Sequence, residues 1–295
     1  MFFFITTLRH PHNAKNYESV IKLLELTIES VCNQVTQYKY KLLVVCNEIP
    51  NIKTDPNKVQ FHVVDFPPPG EGKASELSLR DMHFDKGIKI ASGLLHIKKD
   101  NPSKVFIIDA DDWINNNIVE FVTNNPTTDF WYADTGYLVN FRDKKYIRKH
   151  GLCRYCGTTF IYDYQKLISM LNFKNDVPCN ASREKIADNI EDFPLVSILG
   201  NHRFQFSYLK KFGYSFKALP YNAICWILNT GENHSGKTGG DEGLPLNSVL
   251  LAEFGMISYT PSTEKSSLKN RCSELIEKTK SFIGWIFTDK KADKV

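Results

Sequence analysis

The chain has 295 residues, 42% of them hydrophobic and 24% charged, which suits a folded protein with a sizeable core and excludes a disordered chain. Its 37 Lys and Arg against 33 Asp and Glu leave a net charge of +4, spread along the sequence with no dense basic run, so a nucleic-acid footprint is not expected. No stretch approaches the ~18 to 20 continuous apolar residues of a membrane span, and the apolar opening Met1 to Leu8 is too short for a signal sequence.

Residues 2–7 (Phe-Phe-Phe-Ile-Thr-Thr) predict a β-strand. Asn16 to Val35 then carry Val20, Leu23, Leu24, Ile28 and Val31 at the spacing of one helix face. Leu42 to Cys46 and Phe61 to Val64 are β-branched, apolar runs that suit strands buried on both faces. Pro67 to Gly70 and the polar stretch to Ser78 read as a loop, Leu79 to Lys98 as a second helix, and Val105 to Ile108 as the next strand. Strands alternating with helices imply right-handed βαβ units, a Rossmann-like and mostly parallel sheet flanked by helices, and ligands at the carboxyl ends of its strands.

Beyond Asp112 the pattern becomes mixed, with short strands expected near 130–134, 137–141 and 158–162. The expected organisation is therefore one α/β domain over 1–250. Its nucleotide-binding half is 1–114, its mixed α+β acceptor-side half 115–250, and a C-terminal helical tail occupies 251–295. In that tail Leu275, Ile276, Phe282, Ile283, Trp285 and Ile286, with Lys278 and Lys280 among them, form an amphipathic pattern that either packs or self-associates, or else touches a membrane surface.

Seven cysteines, an odd number and widely spaced, predict reduced thiols and a cytoplasmic location. Cys153-x-x-Cys156 has metal-binding spacing but no second pair, so buried free thiols are the expectation.

The sharpest chemical signal is Phe106-Ile-Ile-Asp109-Ala-Asp111-Asp112, where an apolar strand delivers three carboxylates within four residues. Like charges so close repel unless a cation sits between them, and oxygen ligands favour Mg²⁺ or Mn²⁺, which bridge nucleotide phosphates. The competing structural reading is an acidic turn capping a helix that begins near Asn115 to Asn117.

Asp109-Ala-Asp111, preceded by the helix carrying Asp85-Lys86-Gly87-x-Lys89, resembles GT-A glycosyltransferases, in particular bacterial rhamnosyl transferase-like enzymes. Thr6-Thr7-Leu-Arg9, Val44-Val-Cys-Asn47-Glu48 and Gly231-Glu-Asn-His234-Ser235 fit the same pattern, so that the resemblance spans residues 1–240. It implies a GT-A fold, a nucleotide-sugar donor of the UDP, GDP or dTDP type, a Mn²⁺ or Mg²⁺ ion, and a carbohydrate or lipid-linked acceptor, as in polysaccharide biosynthesis. It also implies Asp111 as metal ligand, Asp109 beside the ribose or metal, His234 as a further ligand, and the strand ends with Thr7, Asn47 and Glu48 around the nucleoside. Arg9, Lys86 and Lys89 are candidate charge partners of the donor phosphates.

For the base that takes the acceptor proton, Glu191 and Asp192 before Phe193-Pro-Leu-Val196 compete with His202 in Gly200-Asn-His. Gly231 to Thr238 also satisfies GxxxxGK[ST], but the glycines and proline after Lys237-Thr238 do not permit the helix that a working P-loop needs. Two further functions stay open: nucleotidyl transfer to a sugar phosphate, and carbohydrate binding by a non-catalytic transferase fold.

Overall fold

The computed structural model describes residues 1–73, 76–233 and 242–259. The first half alternates as its sequence pattern requires: β1 (Phe2–Thr7), α1 (Tyr17–Cys32), β2 (Tyr40–Cys46), β3 (Val59–Val63), α2 (Leu79–Ile97) and β4 (Lys104–Ile108). Each helix starts at a polar cap. Asn16 Oδ1 accepts from Ser19 N at 3.0 Å, and Ser78 Oγ accepts from Asp81 N at 3.1 Å, each satisfying an amide that the first helical turn leaves open.

Successive residues of β1 point to opposite faces of the sheet, and both faces are covered. Phe2 and Phe4 pack with Val20, Leu24, Ile28 and Val31 of α1. Phe3 and Ile5 pack with Ile88, Ile90, Ala91 and Leu94 of α2. This double burial explains why the opening strand is apolar from Phe2 to Ile5 instead of alternating.

The second half adds β5 (Trp113–Ile114), α3 (Ile118–Asn124), β6 (Phe130–Tyr132), β7 (Thr135–Asn140), β8 (Lys145–His150), β9 (Phe160–Asp163), α4 (Tyr164–Leu171) and α5 (Arg183–Ala187). A π-helical turn over Pro194–Leu199 comes next, then α6 (Gln205–Lys211), β10 (Phe216–Ala218), β11 (Ile224–Leu228), β12 (Leu244–Pro245) and α7 (Ser248–Glu253). The main sheet has seven strands in the order β10-β6-β9-β4-β1-β2-β3, parallel except where β9 runs against β4 and β6. A second, mixed sheet runs β12-β8-β7-β11-β5. The α/β class and the mostly parallel sheet are as the sequence pattern implies.

The chain steps outward from β1 to β2 to β3, then crosses back through α2 to β4 on the other side of β1. That reversal opens a crevice beyond the carboxyl ends of β1 and β4, the place where open α/β sheets bind ligands.

The acidic stretch caps no helix. α3 starts at Ile118 behind Asn117, which makes no side-chain capping bond. α7 crosses residue 250, where the sequence pattern puts the start of the tail, and buries Leu250 and Leu251, with Phe254 buried just past its end. The apolar pattern from Leu275 to Ile286 lies outside the described residues. No helix among the described residues is long and apolar enough to cross a membrane.

Candidate active site

At the end of β4 the three carboxylates take different environments. Asp112 is fully buried: its Oδ1 accepts from Ile227 N of β11 at 3.0 Å, and its Oδ2 from Thr158 Oγ1 at 2.6 Å and the Cys156 thiol at 3.2 Å. Thr158 Oγ1 also accepts from Asp109 N at 2.8 Å, which fixes the turn. Burial, with the charges of Asp111 and Asp109 added, holds the Asp112 carboxyl well above its usual range. Asp112 thus braces the two sheets against one another.

Asp109 and Asp111 are partly exposed to the crevice. Asp109 Oδ1 pairs with Lys86 Nζ of α2. Burial pushes Lys86 down, but Asp109 outweighs it and the ammonium pKa ends raised. Asp111 Oδ2 accepts from Asn233 Nδ2 at 3.1 Å, an amide that also donates to Ile227 O at 3.0 Å. Burial first, and then the neighbouring Asp109, push Asp111 up to about 7, with Arg9 and Lys86 pulling it back. Gly157 covers the Lys86–Asp109 pair so closely that a Cβ there would lie 2.6 Å from Asp109 Oδ2 and 2.9 Å from Lys86 Nζ.

Arg9, just past β1, is held by the buried Glu232. Its guanidinium donates to Glu232 Oε2 at 2.7 Å and to the Glu232 carbonyl at 2.9 Å. The same carboxylate accepts from Asn16 N at 2.7 Å and Lys15 N at 3.2 Å, beside the start of α1. Glu232 and Asn233 therefore fasten the segment that leaves β11, one to the β1–α1 connection and one to Asp111. His234, Lys237 and Thr238 lie outside the described residues. Before them, Asn229 and Gly231 take left-handed backbone conformations, with φ of 59° and 85°.

Lys89 is placed differently from Lys86. It has zero exposure, and its Nζ donates to Leu8 O at 3.0 Å and Asp85 Oδ2 at 2.9 Å, so it ties α2 to the end of β1. At the ends of β1 and β2, Thr7 is partly exposed and Glu48 exposed. Asn47 Nδ2 donates to Phe66 O at 2.8 Å, and Asn13 Nδ2 to Gly70 O and Gly72 O at 2.7 Å each. The buried Asn13 Oδ1, Tyr17 Oη and Asn47 Oδ1 find no partner among the described residues. Buried polar atoms are normally paired, so these three are exceptions that gather at the ends of β1 and β2.

The three candidates for the base separate. Asp192 is exposed and paired with Arg80 at 2.7 Å, and Glu191 is exposed beside it. His202 instead lies within electrostatic reach of Lys86 and Asp109. Burial and then Lys86 hold its pKa down to about 4, so the imidazole is neutral. A ring nitrogen bonds to the Arg154 backbone, and the buried Nε2 has no partner among the described residues. Its position comes from glycine. At Gly87 a Cβ would meet Leu195 O at 2.2 Å, and at Gly200 it would meet His83 O at 2.0 Å, so the π-helical turn lies backbone to backbone on α2 and carries His202 toward Lys86.

The two thiols of Cys153-x-x-Cys156 point to different carboxylates. Cys153 donates to Asp134 Oδ1 at 3.3 Å and Cys156 to Asp112, so they form no shared metal pair. Asp109, Asp112 and Cys156 bring one ligand atom each within 4.8 Å of the others, but Asp112 and Cys156 are buried and bonded to one another, with Asp112 also held by Thr158 and Ile227. Nothing local in the sequence marks Cys156, Gly157 or Thr158 as neighbours of the carboxylates. Glu232 and Asn233 adjoin His234, and that segment does carry a sequence signal.

No protein-family model and no curated protein sequence matches the chain. Among solved structures, the crystal structure of S. aureus TarS 1-349 is 13% identical, with a TM-score of 0.42, over 77% of this chain and 60% of that one. HddC from Yersinia pseudotuberculosis is 16% identical, with a TM-score of 0.40, over 78% of this chain and 94% of that one. The chain thus spans 60% of the TarS fragment it resembles. Likeness at this level carries no functional weight, so the function has to be read from the residues of the site.

Proposed function

We propose that the chain is a metal-dependent GT-A glycosyltransferase, moving a sugar from a UDP-, GDP- or dTDP-sugar to a hydroxyl of a carbohydrate or lipid-linked acceptor. The observation that carries this reading is the meeting of Asp109, Asp111 and Lys86 at the β1/β4 crevice, with Asp111 pushed up to about 7 by its surroundings. Two partly exposed carboxylates at one strand end, whose charges Lys86 and Arg9 only partly offset, are suited to a divalent cation, so the residues fit Mn²⁺ or Mg²⁺. Asp109 and Asp111 would hold the ion, with Asp112 keeping the turn in place behind them. When bound, the ion offsets charge on the departing diphosphate.

The remaining work falls to the chain's own groups. Lys86 adds a second positive charge beside the diphosphate and is kept protonated by Asp109 until the donor arrives. Arg9, already satisfied by Glu232, contributes its field and not a direct bond. Asn13, Tyr17 and Asn47 offer unpaired polar atoms to the nucleoside. His202, neutral and with a bare Nε2, accepts the proton of the acceptor hydroxyl. Incoming phosphate charge raises its basicity at that moment.

Product analysis tests the reaction class. With sugar nucleotides and Mn²⁺, transfer releases a nucleoside diphosphate, and the release should vanish in Asp111→Asn. Pyrophosphate release from a nucleoside triphosphate and a sugar phosphate would instead establish nucleotidyl transfer and overturn the proposal.

A further inference from the structure

A second cluster of ligating side chains lies away from the carboxylates. His62 is on β3, the edge strand of the main sheet. His96 is in the last turn of α2, ten residues and therefore ~15 Å along the helix from Lys86. Cys179 is in the connection between α4 and α5. The fold brings one ligand atom of each within 4.8 Å of the others.

The geometry is that of a ligand set more than of a packing accident. The two imidazole rings lie 4.4 Å apart, tilted by 32°. Cys179 Sγ stands 3.8 Å from His96 Nδ1, long for a thiol–imidazole hydrogen bond. A tetrahedral ion with metal–nitrogen bonds near 2.0 Å and a metal–sulfur bond near 2.3 Å puts nitrogen and sulfur ~3.6 Å apart, so the His96–Cys179 pair already stands within a few tenths of an ångström of that spacing.

The fully buried Ser92 orients two of the three ligands. Its Oγ donates to the Cys179 carbonyl at 2.8 Å and lies 2.8 Å from His62 Nε2. With its proton directed at the carbonyl, the hydroxyl accepts from His62 Nε2–H, while the His62 ring also bonds the Cys179 backbone. This is the outer-shell bond that fixes the tautomer of a metal-binding histidine.

We propose that His62, His96 and Cys179 form a zinc site separate from the candidate active site. Zn²⁺ takes two neutral imidazole nitrogens and the Cys179 thiolate, the thiol proton passing to solvent as the sulfur–zinc bond forms, and water fills the fourth position. Two nitrogens and one sulfur suit zinc better than the all-oxygen preference of Mg²⁺ or Mn²⁺. The exposed Lys99 opposes the cation, while the thiolate and Asp100, whose charge favours positive charge at His96, offset it. The ion would clip the sheet edge and the connection around Cys179 to the end of α2.

The test uses the full chain, stripped of metal and titrated with Co²⁺, whose thiolate complexes absorb in the near ultraviolet. One equivalent should produce a sulfur-to-cobalt band that Zn²⁺ abolishes by displacement. Cys179→Ser and His96→Gln should lose the band, whereas Cys156→Ser and Asp111→Asn should keep it, which separates this site from the carboxylates. Cys179 and His96 are partly exposed, so the metal-free variants should match the parent in circular dichroism. Zn²⁺ should raise the melting temperature of the parent but not of Cys179→Ser, and Ser92→Ala should weaken Zn²⁺ on the order of tenfold or more. A parent chain with no thiolate band, or a band that survives Cys179→Ser, would overturn the proposal.

Discussion

Asp111→Asn should stabilise the metal-free protein, even though it removes a proposed ligand. Asp111 rises from an ordinary 3.8 to about 7. A native carboxyl that keeps its proton while the unfolded chain loses it costs stability as pH rises between those two values, at about 1.36 kcal/mol per unit. The full penalty at pH 8 is therefore about 4 kcal/mol, and about half of that if Asp109 relaxes to share it. An asparagine carries no charge, can still accept from Asn233 Nδ2, and avoids the penalty. At pH 4, where the wild-type carboxyl is mostly protonated, variant and parent should unfold alike. At pH 8 the variant should melt several degrees higher, since 1 kcal/mol is worth ~2–4 °C in a domain of this size. Saturating Mn²⁺ should raise the melting temperature of the parent and leave the variant unmoved. Urea and thermal unfolding at both pH values measure this. A variant less stable than the parent at pH 8, or a difference independent of pH, would refute the claim that Asp111 sits in a repulsive site.

Gly157→Ala should force apart the Lys86–Asp109 pair and weaken nucleoside diphosphate binding about tenfold, or ~1.4 kcal/mol, with little change in melting temperature; unchanged affinity would remove Lys86 from the donor site. Glu232→Ala strands the Arg9 guanidinium and the amides of Lys15 and Asn16, and should cost about 3 kcal/mol in urea denaturation; a loss below about 1 kcal/mol, the scale of an exposed pair, would show that the segment after β11 is not anchored there. His202, held down to about 4, stays neutral where the unfolded residue takes a proton below 6.5, so its share of stability is present above pH 6.5 and lost toward pH 4. His202→Gln should flatten that acid limb by up to about 3 kcal/mol and slow transfer; a variant with an unchanged acid limb and parental turnover would exclude His202 as the base.

The sheet is legible in the sequence because its causes are local. The unbroken apolar run of β1 announces a strand covered on both faces, and Asn16 and Ser78 announce the helix starts. The roles of the carboxylates are not legible. Asp111 and Asp112 are adjacent in sequence, and what separates a site residue from a buried brace is contact with Thr158 and Ile227, 46 and 115 residues beyond Asp112. Lys86 and Lys89 likewise look alike on one helix until α2 docks and turns Lys89 onto Leu8 O. β8 gives no strand signal because Lys145 to His150 is a mostly basic, half-exposed strand with little apolar alternation. By spacing alone Cys179 could as well serve Cys153-x-x-Cys156, yet the fold takes it to His62 and His96, a meeting that no spacing encodes.

The central claim is metal-dependent binding of a nucleoside diphosphate between Asp109, Asp111 and Lys86. Calorimetric titration of UDP, GDP, CDP and dTDP, each with and without Mn²⁺, measures it directly. One of UDP, GDP or dTDP should bind with Mn²⁺ and far more weakly without it, and Asp111→Asn should abolish the difference. Binding of none of these diphosphates, or binding that ignores both Mn²⁺ and Asp111→Asn, would contradict the account.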